Sequence, residues 1–390
     1  MTTTTAPAAN PATKVTSVTK VTSVTEPHGL TATENGAALS HPRAEILALT
    51  GLRGLAMFGV VVANIGLPSS VPGRLDNLFD TKWLALPLFV MLSGFVLAYN
   101  YPQLSPRAGL RRLSRFYLAR FARIVPLAVA VLAYLLVLHS AYGVDGWIVT
   151  IFKDQAWAIG LLGCLYVVFP ALVSMVRATI ERNGFRGVLT VLAGAFVTQA
   201  AIVAVLWSIG GLEEDSLRVN TLFFRNPLVW IPTFVIGMAL AFVVTRGFTL
   251  KVRTANVLQA VSILAVVAVA SDYTSARTGR FLSYGLVWAV PFALLILTVA
   301  VSRRSWLARL LSTPLMVHLG VLGLAWFLFH KPVLNGMGER LAHGSNVYAY
   351  LMVLAISGIT LLIAEGAHRY LEAPARAAVM ALARRFDTRH

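Results

Sequence analysis

Two arginines mark the entrance of a long apolar stretch. Residues 115–127 read RFYLARFARIVPL and lead directly into AVAVLAYLLVL. On a helix, Arg120 and Arg123 share one face with Arg112 and Arg115, all four within about 140° of one another. Such guanidinium groups either reach lipid phosphates and orient the segment in a membrane, or form paired hydrogen bonds to the phosphates of a ligand. The spacing alone leaves both interpretations open.

A third arginine lies deeper in an apolar segment. Arg53 stands in LTGLRGLAMFGVVVAN, about 12 Å from the start of that segment at 1.5 Å per residue. An ionisable group inside a membrane is costly and needs a partner, and no acidic residue lies within one helical turn of it. We therefore expect Arg53 to contact another helix or a ligand, the alternative being a side chain that reaches the nearby interface.

Three further polar residues stand in apolar surroundings where catalysis is conceivable. Asn64 ends the first apolar segment, His330 ends the ninth, and Ser93 lies within LFVMLSGFVLAY. A histidine can act as a general base, whereas an asparagine amide can only hydrogen-bond. The plainer interpretations are an interhelical hydrogen bond for Asn64, an interfacial position for His330 and a small-residue packing notch at Ser93-Gly94-Phe95. Ser93 lacks the flanking glycines of a hydrolase nucleophile.

The composition predicts a membrane protein. Of the 390 residues 57% are hydrophobic and 13% are charged, about half the charged fraction of a soluble domain. The net charge of +17 argues weakly for nucleic acid, because the basic residues lie in short loops between apolar segments, as expected near a membrane. The single cysteine, Cys164, excludes an intrachain disulfide, and the sequence shows no metal-ligand cluster.

Ten apolar segments predict an all-α, polytopic membrane bundle of about ten transmembrane helices. The segments between them that carry most of the lysines and arginines fall on the same side as both ends of the chain, so both termini are expected in the cytoplasm, with the protein in the cell membrane. The predicted regions are a disordered Thr/Ala/Pro-rich tail (1–42), a transmembrane domain (43–376) and a basic tail (377–390). The predicted spans are 45–65, 83–100, 124–142, 156–175, 188–209, 228–245, 255–270, 281–301, 314–330 and 347–364.

Several ordered motifs resemble the acyltransferase 3 family of integral membrane O-acyltransferases, over about residues 45–375. The matching pieces are Gly51 to Ala56, Phe89 with Ser93-Gly94-Phe95, Arg120-x-x-Arg123-Ile124-x-Pro126, Trp157 with Tyr166 and Pro170, Phe234 through Gly237-Met238, Leu328-x-His330-x-Pro332, and Tyr370-Leu371-Glu372-x-Pro374. Their order and spacing carry the resemblance, since no piece is decisive alone.

The resemblance implies an enzyme that moves an acyl group from a cytosolic acyl-CoA to a hydroxyl of a carbohydrate, lipid or secondary metabolite, with no bound cofactor. It implies that Arg120 and Arg123 bind the donor, with Arg53 nearby. We place Asn64, His330 and Ser93 at the candidate catalytic site, and Trp157, Tyr166 and Cys164 in the pocket. The expected partners are the acyl donor, the hydroxyl acceptor and the lipid bilayer.

Three positions depart from the family pattern. The family's opening aspartate is Thr50 here, its usual first-helix histidine is Asn64, and its usual fourth-helix glutamate falls within 162–164, which reads LGC. Asparagine cannot accept the proton of a hydroxyl. Three hypotheses therefore remain: an acyltransferase with a displaced base, a non-catalytic relative that binds or transports a lipid, polymer or metabolite, and an enzyme of altered chemistry in the same cavity. Either His139 or His330 could serve as the displaced base.

Overall fold

A computed structural model describes residues 45–65, 85–142, 157–210, 225–272, 286–337 and 347–387. Within these ranges the chain is helical and contains no strand. The helices are α1 (Leu47–Ile65), α2 (Ala85–Asn100), α3 (Leu110–Tyr142), α4 (Trp157–Gly210), α5 (Pro227–Thr245), α6 (Val252–Asp272), α7 (Leu286–Val301), α8 (Trp306–Leu311), α9 (Pro314–Met337), α10 (Val347–Ala367), a π-helical turn (His368–Glu372) and α11 (Ala373–Asp387).

The apolar helices confirm a polytopic helical membrane protein. Seven of the described helices are long and apolar enough to cross a membrane, and the shorter α2 and α7 are also apolar. One of the seven is α4, whose apolar stretch runs from Trp157 to Leu206 over 50 residues, which is enough for two crossings. The ten predicted segments thus fall on these helices, with α4 supplying two of them.

The connection inside α4 differs from the prediction. An inner loop was expected over 176–187, but the helix continues to Gly184, where φ is 57° and ψ is −131°. A residue without a Cβ adopts this conformation easily, so Gly184 bends the chain with no separate loop. The two arms of α4 then correspond to the fourth and fifth predicted spans.

Two of the predicted regions lie at the ends of the chain. The 1–42 tail falls outside the described residues. Most of the region 377–390 is helical, because α11 extends to Asp387. The transmembrane domain between them is the part that carries the site.

Glycines bring the helices that carry the site into backbone contact. A Cβ on Gly94 of α2 would collide with the carbonyl oxygen of Phe234, and one on Gly237 of α5 would collide with that of Met91. In the same way, a Cβ on Gly320 of α9 would collide with the carbonyl oxygen of Thr50 in α1. The packing notch predicted at Ser93-Gly94-Phe95 is therefore confirmed at Gly94, and this close approach is typical of helix pairs in membranes.

Aromatic side chains fill the space between α3, α4 and α5. The ring of Phe169 stacks on Phe116 with centroids 5.3 Å apart and meets Phe234 edge-on at 6.2 Å. All three side chains are fully buried. The outward surfaces instead carry exposed aliphatic residues such as Leu264 and Leu362, as expected where lipid is the solvent.

Gly237→Ala is expected to destabilise the bundle. The added methyl group collides with the backbone of Met91, so α2 and α5 must separate, at a cost of about 1–3 kcal/mol. Thermal unfolding in detergent micelles measures the effect. Gly358→Ala is the matched control, because a Cβ there meets nothing within 4 Å. Equal melting temperatures for the two variants would contradict the packing argument.

Candidate active site

A cavity of about 450 Å³ lies between α1, α2, α3, α4 and α9. Five cationic side chains line it, namely Arg53, Arg120, Arg123, Arg225 and Lys331. No acidic residue lines it within the described part of the chain. A cavity with this excess of positive charge is suited to an anionic ligand.

Arg123 is held at one end of the cavity by a buried carboxylate. Its Nε lies 3.3 Å from Oε1 of Glu372 in the π-helical turn, and the side chain of Glu372 is only 3% exposed. The other carboxylate oxygen, Oε2, lies 2.8 Å from Nδ1 of His368. Both oxygens of the buried acid are therefore satisfied, and the pair joins the first half of α3 to the turn that follows α10.

Arg120 has a different environment one turn earlier on α3. Its guanidinium carbon lies 5.2 Å from the ring centroid of Tyr101 and 5.7 Å from that of Phe116, within the range of cation–π attraction. Its buried Nε has no hydrogen-bond partner among the described residues. A buried donor without a partner is costly, so contacts within the described residues satisfy Arg120 only in part, while the residue itself lines the cavity. Neither Arg112 nor Arg115 lines the cavity.

Arg53 completes this end of the cavity, which we call the arginine end. It comes from α1, lies beside Gly323 of α9 and is near enough to Arg120 and Arg123 for the like charges to repel one another. The expectation that Arg53 contacts another helix is met by its position against α9. Three guanidinium groups from two helices thus share one wall of the cavity.

His330 and Asn64 line the opposite end, which we call the histidine end. His330 is 3% exposed, and its Nδ1 lies 2.6 Å from the carbonyl oxygen of Phe327. Because a carbonyl only accepts, Nδ1 carries the hydrogen, and in the neutral ring Nε2 is left as an acceptor. Asn64 donates from Nδ2 to the carbonyl oxygen of Val60 at 2.8 Å. Arg53 and Asn64 are eleven residues apart on α1, about 16 Å along the helix axis.

The remaining predicted site residues divide into two groups. Ser93, Trp157 and Tyr166 line the cavity. Cys164 does not line it and is exposed, so its predicted place in the pocket is wrong. The reason is helical phase, because Gly160, Cys164, Val167 and Ala171 form one outward stripe of α4 at the 3–4 residue spacing of a single face.

His318, a second histidine of α9, does not line the cavity. Nε2 of His318 lies 2.9 Å from Oε2 of Glu365, and both side chains are at least one third exposed. The side chain of His139 lies outside the described residues. Of the described histidines, His330 is therefore the one positioned to accept a proton inside the cavity.

The sequence analysis did not identify three residues that contribute to the site. Arg225 and Lys331 were placed in loops, yet both line the cavity. Glu372 was noted only as part of a motif, although it holds Arg123. A signal did exist for Glu372, since an acidic residue that follows the last apolar segment is a natural partner for an arginine that begins another.

The arrangement offers two chemical functions in one cavity. The arginine end can bind phosphate or another oxyanion, and the histidine end presents an unprotonated ring nitrogen to a hydroxyl. No group of three potential metal ligands occurs among the described residues. The geometry therefore suits the activation of a hydroxyl near a bound anion.

Glu372→Gln is expected to lower the free energy of unfolding by about 1–3 kcal/mol, because it leaves Arg123 without its charge partner. Thermal unfolding in detergent, for the single variants and for the double variant with Arg123→Gln, gives the coupling between the two residues. Glu181→Gln is the control. Oε1 of Glu181 lies 3.9 Å from Nε of Arg177, and the side chain of Glu181 is 58% exposed. Coupling no larger than in this surface pair would contradict the role assigned to Glu372.

Comparison with known proteins agrees with this geometry. The Acyl_transf_3 family model, described as an acyltransferase domain, matches residues 46–365. A Staphylococcus aureus strain COL protein with the provisional name O-acetyltransferase is 21% identical over 367 residues, which cover 85% of this chain and 57% of that protein. A strain MSSA476 protein with the same provisional description is 21% identical over 364 residues, covering 84% of this chain and 57% of its own length.

A third relative is of similar length to this chain. The acyltransferase MdmB of Streptomyces mycarofaciens is 24% identical over 349 residues, which cover 81% of this chain and 85% of MdmB. No solved structure matches the chain. Because the family model covers most of the chain and its motifs line the cavity, the protein belongs to the acyltransferase 3 family.

Proposed function

We propose that the protein is a membrane acyltransferase that moves an acyl group from an acyl-CoA to the hydroxyl of a carbohydrate, lipid or secondary metabolite. The observation that supports this most directly is that one cavity is lined by three arginines at one end and by His330 at the other. A donor with several phosphates and an acceptor hydroxyl can then meet within a single space. Family membership and the names of the relatives agree with this reaction class.

The donor is assigned to the arginine end. Arg120 and Arg123 line the cavity, and the carboxylate of Glu372 sets the orientation of Arg123. This favours ligand binding over a purely orienting role, because an orienting arginine extends towards lipid headgroups. A guanidinium group can donate two parallel hydrogen bonds to the oxygens of one phosphate, so the pyrophosphate of CoA is the expected ligand. From the lysine and arginine bias of the sequence, we assign this end to the cytoplasmic face of the cell membrane, where acyl-CoA is available.

The reaction follows from the protonation state of His330. Nε2 takes the proton of the acceptor hydroxyl as its oxygen attacks the thioester carbonyl carbon. Collapse of the tetrahedral intermediate breaks the carbon–sulfur bond, and the proton on Nε2 passes to the departing thiolate. The products are an O-acyl ester and free CoA. The carbonyl oxygen of Phe327 stabilises the charged ring during the transfer through Nδ1–H.

Asn64 and Ser93 have supporting roles in this proposal. Asn64 lines the same end of the cavity as His330, and its amide can hydrogen-bond the acceptor hydroxyl without titrating. Ser93 lines the cavity from α2, where its hydroxyl can donate to the oxygen of the tetrahedral intermediate. In this chain the proton acceptor is thus displaced from α1 to α9.

The staphylococcal relatives are longer than the part that this chain matches. The chain covers 57% of their length, whereas it covers 85% of MdmB. The acetyl group in the staphylococcal names makes acetyl-CoA a reasonable first donor to test. The alternative function is that of a relative that binds or transports a ligand without transferring an acyl group, and turnover of the donor separates the two.

His330→Gln is expected to lower the rate of acyl transfer about 10²–10⁴-fold, because the variant lacks the proton acceptor. The assay follows the transfer of label from acetyl-CoA in membranes that contain the protein, together with the release of CoA. Donor affinity should remain unchanged, because His330 lies at the opposite end of the cavity. His318→Gln is the matched control, since His318 pairs with Glu365 outside the cavity.

The outcomes separate the hypotheses. A transfer rate in His330→Gln equal to that of wild type would exclude His330 as the base. Binding of acetyl-CoA to the wild type without any label transfer or CoA release would support the non-catalytic alternative.

Arg120→Ala is expected to weaken CoA binding about tenfold or more, because charge-assisted hydrogen bonds to phosphate contribute about 1.5–3 kcal/mol. Calorimetry with purified protein and CoA measures the dissociation constant. Arg112→Ala is the control on the same helix, where the side chain is exposed and does not line the cavity. Similar effects of the two substitutions would indicate that α3 attracts anions only through its overall charge.

A further inference from the structure

Two cationic residues of the cavity are not assigned to the donor. Three of the five that line it form the arginine end, and Arg225 and Lys331 are the other two. Lys331 directly follows His330 in α9, so it lies at the histidine end. The side chains of Arg225 and Lys331 are both half-buried. Their positive charges therefore face a space that only partly opens to solvent.

Arg225 also belongs to the histidine end, because α5 begins there. The cavity-lining part of α4 ends at Tyr166, which neighbours Arg53 of the arginine end. Ile180 lies about 21 Å further along α4, away from the cavity. Its carbonyl oxygen accepts a hydrogen bond of 3.1 Å from Nη2 of Arg246, the residue that follows α5. Helix α5 thus ends beyond the arginine end, and Arg225, which precedes its first turn, lies at the opposite end.

No ion pair compensates the charges of Arg225 and Lys331 in the ranges that the structure describes. The acids that form ion pairs there are Glu181, Glu365 and Glu372, and their partners are other residues. The cavity wall contributes no described acid either. An anionic group bound between the two side chains would add to the compensation of both charges.

We propose that the acceptor carries an anionic group, a carboxylate or a phosphate, which binds Arg225 and Lys331 while the acceptor's hydroxyl faces Nε2 of His330. The inference rests on the proposed function and names the class of acceptor that the histidine end takes. Arginine can donate two parallel hydrogen bonds to either anion, and lysine adds a point charge. The anionic group would then orient the hydroxyl for attack on the thioester.

The same arrangement gives selectivity against neutral acceptors. A neutral compound of similar shape would displace water from Arg225 and Lys331 without replacing its interactions, and sites built for a polar contact reject analogues that lack it. The two anions of the reaction would also be kept apart. The phosphates of the donor occupy one end of the cavity, and the charge of the acceptor occupies the other.

The test determines the charge of the product, whatever the acceptor is. Membranes with the full chain, and membranes without it as the blank, receive acetyl-CoA with a labelled acetyl group. The labelled product is separated from residual acetyl-CoA by chromatography and applied to an anion-exchange resin. We expect the resin to retain it. Extraction with chloroform and methanol then separates the two sources of such an anion, since an anionic lipid enters the organic phase and a sugar acid or phosphorylated metabolite stays in water. Either result supports the inference.

Substitutions connect the charge of the product to the two cations. Arg225→Gln and Lys331→Gln should each lower the rate of label transfer about tenfold or more, because each removes charge-assisted hydrogen bonds to the acceptor. The dissociation constant for CoA should not change. Lys331→Arg retains the charge and should keep most of the rate. Arg303→Gln is the control of equal charge change, because Arg303 is exposed and does not line the cavity.

The possible failures are distinguishable. A labelled product that the resin does not retain would overturn the inference and leave the proposed function intact. Wild-type transfer rates in Arg225→Gln and Lys331→Gln would also overturn it, as would a loss of CoA affinity in both, which would assign the two cations to the donor. If the wild type transfers no label above the blank, the proposed function fails, and the inference fails with it.

Discussion

The cost of placing positive charge inside an apolar helical bundle governs this structure. Guanidinium groups are retained in such surroundings only when something compensates for their lost hydration. Arg123 has the buried carboxylate of Glu372, and Arg120 has the faces of two aromatic rings. The protein compensates these charges only in part, because the buried Nε of Arg120 has no partner in the described chain. Because Arg120 also lines the cavity, an anionic donor bound there would add to the compensation of its charge.

Close packing of the helices determines what faces these charges. The glycine contacts between α1 and α9 bring Arg53 beside Gly323 and align the two helices, so that Asn64 and His330 reach the same end of the cavity. The corresponding contacts between α2 and α5 fix the helix that carries Ser93. The positions of the reactive groups therefore depend on backbone approach at glycines distant from the chemistry. This explains why motifs scattered over most of the chain converge on one site.

Much of the fold was predictable, because few backbone structures can satisfy their own hydrogen bonds within lipid. Apolar segments of sufficient length must be helices, and the predicted segments were found as helices. Residues at the entrances and ends of those segments, such as Arg120, Arg123 and His330, were predictable site candidates because their polarity conflicts with their surroundings.

The prediction of a loop over 176–187 was wrong, because the helical chain bends at Gly184 without a separate loop. Cys164 was misplaced because residue type gives no information on which face of a buried helix it occupies. The partnership of Arg123 with Glu372, 249 positions later in the sequence, depends on tertiary packing that a single sequence does not show.

The central claim is that donor and proton acceptor meet in one cavity, with the donor's phosphates at the arginine end and its acyl carbon near His330. An electron cryomicroscopy map of the protein with a ketone analogue of acetyl-CoA, in which a methylene group replaces the thioester sulfur, tests it most directly. The account predicts pyrophosphate density against Arg120 and Arg123, with the analogue's carbonyl group inside the cavity on the side of Ser93 and His330. Density for the analogue outside this cavity, or an acyl end directed away from His330, would contradict it.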